Sequence, residues 1–355
     1  MSGTIEVAVL GGNGYVAGEL LRLLSQHPRF RVVSAVSTSR PGEAVVSAFP
    51  HLAGTSLVGL AFESPDDLAA RLRPGLEIGV FAATPHGATA GLLDGLLAVA
   101  EGAGATFRAV DLSADFRFRD PGRYEATYGH AHAAPHRLAA FHCSVPEHFA
   151  GRPPAHAVQP GCFTTAVPLA AYPFLALGLV EDDVFASAVT GSSGSGRTPV
   201  AGTHHPERHS AMYAYSPLVH RHEPEMRILL GRAIGGREPD VQFVPHSGPF
   251  VRGIHATLRL ALREPAAAAD LVQAAAAFYS GSPFVRVSAE PPRLTEVVGT
   301  NRCRLGVAVR GRTLVVTSVI DNLVKGAAGG GIQWMNRLFG LPDDEGLRLP
   351  GLGWY

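Results

Sequence analysis

The stretch Ile5-Glu6-Val7-Ala8-Val9-Leu10-Gly11-Gly12-Asn13-Gly14-Tyr15-Val16-Ala17-Gly18 determines how the N-terminal half of this chain folds. Its first six residues form a short apolar run, which predicts a strand, and four leucines between positions 20 and 24 predict the apolar face of a helix. The glycines between them allow a tight turn that brings backbone N–H groups to a pyrophosphate. The pattern therefore predicts a dinucleotide-binding unit, with the cofactor held by Gly11, Asn13, Gly14 and Tyr15.

The end of the second predicted strand indicates which dinucleotide is bound. Residues Arg31 to Ser37 run into Thr38-Ser39-Arg40. Many NAD sites carry an acid here for the ribose 2′-hydroxyl, whereas hydroxyls and a guanidinium suit a 2′-phosphate. We therefore expect NADP(H), with Ser39 and Arg40 at the phosphate. The alternative is that Arg40 is only a solvated loop charge.

Two more predicted strands of the N-terminal half lead into loops that carry polar side chains. Glu77 to Ala83 runs into Thr84-Pro85-His86-Gly87, and Phe107 to Leu112 runs into Ser113-Ala114-Asp115-Phe116-Arg117. Loops at the carboxyl ends of parallel strands line the ligand crevice of such sheets. Pro85, Ser113 and Arg117 are therefore candidate site residues, and the arginine suits an anion bound through two hydrogen bonds.

Cys162 is the candidate nucleophile. It lies in Gln159-Pro160-Gly161-Cys162-Phe163-Thr164-Thr165, before an apolar run from Ala166 to Leu179. Pro160 and Gly161 predict a turn, and the two threonines are suitable N-cap residues. A thiol near a helix N-terminus is biased towards the thiolate, the form that attacks carbonyl carbons. The alternative is a small buried apolar residue, as most free cysteines are.

A glycine-rich loop follows the predicted strand Phe185 to Thr190. The loop, Gly191 to Arg197, contains the candidates Ser192 and Gly194. Glycine lets backbone approach a ligand closely, so the loop predicts a binding element. A flexible connector would have the same composition.

Histidines and arginines concentrate in the segments Thr203 to His209 and His220 to Glu225. Zinc is not expected, because a zinc site needs three or four convergent ligands and adjacent histidines point apart in extended chain. We expect one neutral histidine as acid/base catalyst and cations for an anionic substrate, with His205 among the substrate contacts. Either Glu223 or Glu225 would hold Arg221 or orient the imidazole.

The C-terminal part predicts an open, largely antiparallel region. Strands are expected at His255 to Leu262, Arg304 to Val309 and Leu314 to Ile320, with a helix at Ala266 to Tyr279. Small residues after Asp321-Asn322 permit close approach to another backbone or a cofactor. A final helix, 332–338, is expected to return to the nucleotide-binding domain.

The bulk composition excludes several classes of protein. The 355 residues suggest two domains, and 30 basic against 30 acidic residues provide no field that would recruit nucleic acid or an anionic membrane. We find no apolar stretch long enough to span a bilayer and no basic segment typical of a signal peptide. Three cysteines without metal-type spacing argue against a disulfide framework. We therefore expect a cytoplasmic protein without metal, nucleic-acid or membrane partners.

In this order, the motifs resemble those of the N-acetyl-γ-glutamyl-phosphate reductases, NADPH enzymes of arginine biosynthesis. The resemblance runs nearly end to end and rests most on Asp111-Leu112-Ser113-Ala114-Asp115-Phe116-Arg117 and Pro160-Gly161-Cys162, supported by His220-Arg221-His222 and 321–326. It implies that Cys162 is the nucleophile, that His220 is the acid/base, and that Arg221 and Glu225 support it. Asn322 and Gly194 would contact the cofactor.

The resemblance also implies a fold and an organisation. The fold is α/β, a Rossmann dinucleotide-binding domain plus an α/β catalytic domain of the aspartate-semialdehyde-dehydrogenase type. The expected boundaries are 1–157 for the NADP-binding domain, 158–325 for the catalytic and oligomerisation domain, and 326–355 for the returning C-terminal helix. The substrate is a small acyl phosphate, and a homodimer or homotetramer is expected.

Three segments bear on the limits of the resemblance. Ala17 stands where the family usually has glycine, and Cys143-Ser144-Val145-Pro146-Glu147 replaces the usual Tyr-Gly-Leu-Pro-Glu. The segment 203–209 is similar to that of a relative in lysine biosynthesis, which reduces an aminoadipyl phosphate carried on a small acidic protein. A carrier would need a basic rim, which Arg197 and Arg208 would mainly supply. We favour the free substrate because so small a rim is weak.

Overall fold

The computed structural model describes residues 3–353, which form two compact units. Of these residues, the first unit takes 3–146, 150–160 and 327–348, and the second takes 147–149, 161–326 and 349–353. No helix within this part of the chain has the length and apolar character needed to cross a membrane.

Seven parallel strands form the sheet of the first unit. They are β1 (Ile5–Leu10), β2 (Phe30–Val36), β3 (Phe62–Glu63), β4 (Glu77–Ala82), β5 (Thr106–Asp111), β6 (Phe141–Cys143) and β7 (His156–Val158). The helices along this part of the chain are α1 (Tyr15–Leu24), α2 (Val45–Ala48), α3 (Pro65–Arg71), α4 (Thr89–Ala103) and α5 (Pro121–Tyr128). The strand order is β3-β2-β1-β4-β5-β7-β6, so the chain reverses its direction of winding at β1.

The turn after β1 requires glycine at two positions. Gly11 has a φ of +145°, and a Cβ there would lie 2.5 Å from the carbonyl oxygen of Ala83. Gly12 has a φ of +54°, which is left-handed backbone. The turn therefore lies at the switch point of the sheet, where ligands bind in doubly wound folds. Ala17 fits inside α1, while a Cβ at Gly18 would lie 2.6 Å from the ring of Phe49.

A second seven-stranded sheet organises the second unit. Its strands are β8 (Val180–Thr190), β9 (Tyr213–Ala214), β10 (Asp240–Ser247), β11 (Ile254–Leu262), β12 (Val285–Ser288), β13 (Cys303–Arg310) and β14 (Thr313–Ile320). The order is β12-β13-β14-β11-β8-β10-β9, with four antiparallel and two parallel pairs. The sheet is thus largely antiparallel, although the sequence analysis did not identify β10 as a strand.

The helices of the second unit are α6 (Cys162–Ala176), α7 (His205–Arg208), α8 (Glu223–Gly231) and α9 (Ala268–Phe278). Helix α6 is apolar nearly all round and packs against β8, β11 and β14. A helix of this composition is stable when buried on all sides, even with Pro168 and Pro173 inside it. The last helix, α10 (Gly329–Leu338), belongs to the first unit and packs on β5 and β7.

Buried histidines make the stability of the fold depend on pH. Burial lowers the pKa of His27, His156 and His220 to about 4 and that of His148 to about 3. Between pH 6.5 and 4 the unfolded chain therefore binds protons that the folded chain excludes, and stability is lost as the pH falls. Asp111 acts in the opposite direction, because burial raises its pKa to about 6.

We expect the free energy of unfolding to be lower at pH 5 than at pH 7.5, and His148→Gln to reduce that loss by about 2 kcal/mol. The measurement is urea unfolding of the wild type and the variant at both pH values, followed by circular dichroism. His51→Gln, a change at an exposed histidine, is the control. An unchanged pH dependence in His148→Gln would contradict the assignment of the burial effect to this residue.

Candidate active site

Cys162 and His220 line the same cavity in the second unit. The cavity has a volume of about 550 Å³, and Gly194, Tyr215, Arg221 and Ser247 are also at its wall. The structure thus brings together four residues that were singled out from the sequence: Cys162, His220, Arg221 and Gly194. Tyr215 was not foreseen, because no pattern in the sequence marks a single tyrosine in a loop.

Cys162 is the first residue of α6, and the helix begins earlier than its sequence suggested. The N-cap residue is Gly161, and no side chain caps the helix. The expectation that Thr164 or Thr165 caps it is therefore wrong: the Thr165 hydroxyl donates back to the Gly161 carbonyl, at 3.1 Å. Cys162 consequently lies within the first turn, where the backbone N–H groups and the helix dipole stabilise a thiolate.

Glycine is needed at 161, next to Cys162, because the ring of His222 lies against this position. A Cβ at Gly161 would be 2.5 Å from His222 Nε2, far inside van der Waals contact. His222 is buried and also packs edge-on against the ring of Phe163. A side chain at 161 would therefore displace either the imidazole or the start of α6.

Glu225, rather than Glu223, reaches the backbone next to Cys162. Its buried Oε2 accepts hydrogen bonds from Gly161 N at 3.2 Å and from the Thr164 hydroxyl at 3.0 Å. Glu223 instead pairs with Arg227 along α8. Between the two carboxylates that the sequence left open, Glu225 is the one that holds the N-terminus of α6.

His220 is held in a defined tautomer. Its Nδ1 accepts a hydrogen bond from the backbone N–H of His222 at 3.1 Å, so the neutral ring carries its proton on Nε2. Burial, and secondly the charge of Arg221, lower the pKa of His220 to about 4, while Glu225 opposes them. His220 is therefore neutral at pH 7.

The segment that carries His220 is strained. Ser216 has a φ of +46° and Leu218 a φ of +63°, in the left-handed region that costs non-glycine residues about 1 to 2 kcal/mol each. Leu218 N–H donates to the Phe243 carbonyl at 2.9 Å, and Tyr215 N–H donates to the Pro245 carbonyl at 3.0 Å. These bonds to β10 hold the strained turn, as is typical of segments that carry functional residues.

The glycine-rich loop is fastened to two neighbouring segments. The Ser193 hydroxyl donates to the Val251 carbonyl at 2.6 Å, and Asn322 Nδ2 donates to the Ser193 hydroxyl at 3.0 Å. Asn322 Oδ1 accepts from Gly253 N–H at 2.7 Å. The loop is therefore a held element, with Gly194 at the cavity wall, and not a loose connector. Ser192 is half-buried and its hydroxyl donates to the Phe250 carbonyl.

The histidine-rich segment 203–209 contributes less to the site than its sequence suggested. His205 is exposed, packs against the ring of His209 and is not among the residues that line the cavity. Arg208, expected on an exposed basic rim, is buried and donates to the Ala211 carbonyl at 3.2 Å. Only Arg197 of that rim is an exposed arginine.

In the first unit, the residues of the glycine turn suit a dinucleotide. The first turn of α1 holds no acidic residue, so no carboxylate within that turn competes with a phosphate for its backbone N–H groups. Gly14 is the N-cap, Asn13 is half-buried, and Tyr15 is exposed. Gly11 lets the turn pack against the Ala83 backbone, and a Cβ at Gly14 would have only the Gly11 carbonyl oxygen within 4 Å, at 3.7 Å, so the start of α1 is open and these residues fit the group.

The neighbouring candidates for the 2′-phosphate lie at the end of β2. Arg40 is exposed and pairs with Glu43 at 2.9 Å, and the Ser37 and Ser39 hydroxyls are 3.4 Å apart. An exposed ion pair of this kind is weak, so a phosphate can replace the carboxylate as the partner of Arg40.

The acids of the segment 111–117 hold its backbone. Asp111 accepts from the N–H groups of Ser113 and Phe116, and Asp115 accepts from those of Gly87 and Ala90. Burial, and secondly the nearby Asp115, raise the pKa of Asp111 to about 6. The two carboxylates thus position the loops that carry Ser113, which is buried, Arg117, which is nine-tenths buried, and Pro85, which is exposed.

Between residues 3 and 353, no three His, Cys, Asp or Glu side chains are grouped so that they could hold a metal ion.

Sequence profiles of two domains match the chain. The profile described as the NAD binding domain of semialdehyde dehydrogenase matches residues 6–141, and the one described as the dimerisation domain matches 162–322. Aspartate semialdehyde dehydrogenase II from Vibrio cholerae, complexed with ASA, has a similar fold, with a TM-score of 0.68 at 14% identity over 96% of this chain and 99% of that one. The enzyme from Candida albicans with NADP gives a TM-score of 0.63 at 15% identity, over 95% and 98%. The expected fold, a Rossmann domain plus an α/β domain of the aspartate-semialdehyde-dehydrogenase type, is confirmed.

Curated relatives cover nearly the whole chain. The N-acetyl-γ-glutamyl-phosphate reductase of Symbiobacterium thermophilum is 41% identical over 98% of this chain and 99% of its own length. The proteins of the same name from Acidithiobacillus ferrooxidans and Methanosarcina acetivorans are 40% and 38% identical over 97% and 98% of this chain, and 98% and 99% of their own. Because the similarity is this high over the full length, the chain belongs to the N-acetyl-γ-glutamyl-phosphate reductase family, within the semialdehyde dehydrogenases.

Proposed function

We propose that this chain reduces N-acetyl-γ-glutamyl phosphate to N-acetylglutamate 5-semialdehyde and phosphate with NADPH, in arginine biosynthesis. The observation that carries the proposal is the cavity in which Cys162, at the first turn of α6, and the neutral imidazole of His220 both lie. A nucleophilic thiol and a hydrogen-bond donor are what acyl transfer from a phosphate requires. The full-length relatives bear the same activity in their names.

In the first step, the Cys162 thiolate attacks the carbonyl carbon of the acyl phosphate. A carbon–sulfur bond forms, the carbon–oxygen bond to phosphate breaks, and phosphate leaves with that electron pair. Backbone N–H groups in the first turn of α6 are suited to the negative charge on the carbonyl oxygen. The product is a thioester on Cys162.

In the second step, His220 stabilises the oxygen of the thioester. Bound NADPH would supply the hydride that reduces the thioester carbon. As the acid/base, His220 donates its Nε2 proton to the oxygen as that atom becomes negative, and it takes the proton back when the carbonyl re-forms, the carbon–sulfur bond breaks and the thiolate leaves. A pKa of about 4 keeps the imidazole of His220 neutral near pH 7, so Nδ1 accepts from the His222 N–H and Nε2 carries the single proton that the ring can donate.

The remaining assignments belong to the same proposal. We assign Arg221, Arg117, Ser113, Ser192 and His205 to substrate binding, with Glu225 supporting the catalytic pair. We assign Gly11, Asn13, Gly14, Tyr15, Ser39, Arg40, Pro85, Gly194 and Asn322 to the cofactor. The match to a dimerisation domain supports a homo-oligomer, for which a dimer or tetramer is proposed. The domain limits 1–157, 158–325 and 326–355 and a cytoplasmic location are proposed as well.

The substrate is tested by an assay of the reverse reaction. We expect robust NADPH formation from N-acetylglutamate semialdehyde, phosphate and NADP. The buried position of Arg208 favours this free substrate, because it leaves little exposed basic surface in 197–209 for an acidic carrier. Turnover only with a carrier-linked aminoadipate semialdehyde would replace this assignment by the lysine-pathway reaction.

Cys162→Ser should lower kcat by about three orders of magnitude or more, because a hydroxyl does not provide the thiolate nucleophile at neutral pH. Cys143→Ala, which changes a buried cysteine of the first unit, is the control and should keep the activity. Mass spectrometry of the wild type quenched during turnover should detect an acyl group on Cys162. Near-normal kcat in Cys162→Ser would exclude the covalent route.

Arg40→Ala should weaken NADPH binding by about 10- to 100-fold and leave NADH binding nearly unchanged, since one charge-assisted contact is worth about 1.5 to 3 kcal/mol. Glu43→Gln should strengthen NADPH binding, because it releases Arg40 from its present partner. Isothermal titration with both dinucleotides measures the two effects, and Arg31→Ala, in the surface pair with Glu6, is the control. Equal weakening for NADPH and NADH in Arg40→Ala would show that this residue does not bind the phosphate.

A further inference from the structure

The chain contains a single lysine, and that lysine is completely buried. Of its 30 lysine and arginine residues, 29 are arginine, and the exception is Lys325. The Lys325 side chain has an exposed fraction of 0%, and its Nζ donates to Glu147 Oε1 at 2.6 Å, where the Glu147 side chain is 1% exposed. The ammonium also lies 5.2 Å from the centre of the Phe284 ring. All three residues belong to the second unit.

The residue after Lys325 touches the nucleophile. A Cβ on Gly326 would lie 2.8 Å from Cys162 Cβ and 3.1 Å from Cys162 Cα. The backbone at 326 therefore forms a wall against the first residue of α6. Any shift of this wall changes the space in which the Cys162 side chain and its backbone are held.

The wall is part of a wide helical turn, residues Val324–Ala328, with π-helical hydrogen bonding. Asp321 secures the beginning of the turn: its Oδ1 accepts from Leu323 N–H at 2.8 Å and from Val324 N–H at 3.0 Å. The Gly326 N–H donates to the Asp321 carbonyl at 2.9 Å. Turns of this kind are uncommon and often occur at functional sites. Lys325 adds a side-chain anchor at the residue before the contact.

The Lys325–Glu147 ion pair is costly to bury, so stabilising the fold does not by itself explain it. Burying two charges is expensive, and a well-packed apolar pair of similar volume usually stabilises a fold as well or better. The planar guanidinium of arginine cannot replace a compact ammonium in a closed site. Since the other 29 of the 30 lysine and arginine residues are arginine, a lysine at this one buried position indicates a requirement for one defined geometry.

We propose that the Lys325–Glu147 ion pair is a positioning device for Cys162. The pair sets the Val324–Ala328 turn so that the Gly326 backbone presses on the first residue of α6 and keeps the thiolate in its attacking position. Lys325 and Glu147 touch neither substrate nor cofactor in this account. The proposal rests on the assignment of Cys162 as the nucleophile.

The first test removes the charges in two ways. Lys325→Met should lower kcat by about 100-fold, the scale of a misplacement of about 1 Å, with KM for NADPH changed less than threefold. Lys325→Met combined with Glu147→Leu should recover the free energy of unfolding without recovering kcat. Lys325→Arg, which keeps the charge but not the shape, should be impaired as well. Wild-type kcat in a folded double variant would overturn the proposal.

The second test reads the thiol directly and needs no substrate. The rate of Cys162 alkylation by iodoacetamide follows its thiolate fraction, and mass spectrometry identifies the site. We expect the alkylation rate at pH 7 to fall about tenfold in Lys325→Met and in Lys325→Arg, with the pH profile of alkylation displaced to higher pH. Arg137→Met, which removes the ion pairs with Asp94 and Glu101 in the first unit, is the control and should leave the profile unchanged.

Gly326→Ala tests the contact even if every change at 325 and 147 prevents folding. The added methyl group would press on Cys162, so kcat and the alkylation profile should both change, while an unaltered variant would overturn the proposal. The single lysine also permits a direct readout, since selective labelling of lysine Nζ gives one NMR signal. That signal should shift when Cys162 is alkylated; no shift would count against the coupling. Full turnover in Cys162→Ser would instead refute the nucleophile itself, whatever the lysine variants show.

Discussion

Close packing around the first turn of α6, by a histidine ring on one side and by backbone on the other, is the constraint on which this site depends. The ring of His222 occupies the space that a side chain at Gly161 would need, and Gly326 lies directly against Cys162. Packed interiors respond to a single added methylene, so neither neighbour can yield much. Cys162 is thus placed by glycines on two sides. The dipole and N–H groups of α6 act on Cys162 only because the helix starts at that residue.

Charges around the cavity have opposing effects, and burial decides between them. Glu225 lies at the N-terminus of α6, where a carboxylate is stabilised by the dipole but would also oppose a nearby thiolate. The same carboxylate favours a charged His220, whereas the loss of hydration and the charge of Arg221 disfavour it. Burial is the larger effect, so the histidine is neutral and offers Nε2–H as a donor.

The most specific sequence motif of the first unit, residues 111–117, mainly holds neighbouring backbone in place. In the segment 111–117, Asp111 and Asp115 are fully buried and accept hydrogen bonds from four backbone N–H groups. The acids shape two neighbouring loops, and the arginine of the segment is carried by that framework. Specific motifs can therefore identify a family through residues that position others. The same holds for Asp321, whose side chain secures the turn before Gly326.

The sequence by itself determined the strand-turn-helix at residues 5–24, the α/β class and the candidate nucleophile, because periodicity, glycine spacing and a turn before an apolar run are local signals. Only the tertiary structure decided that α6 begins at Cys162, that Glu225 and not Glu223 reaches Gly161, and that Arg208 is buried. The tertiary structure also placed Gly326 against Cys162, and it paired Lys325 with Glu147, which lies 178 positions away in the sequence. Burial and contacts between distant segments set these features, and no local pattern encodes them.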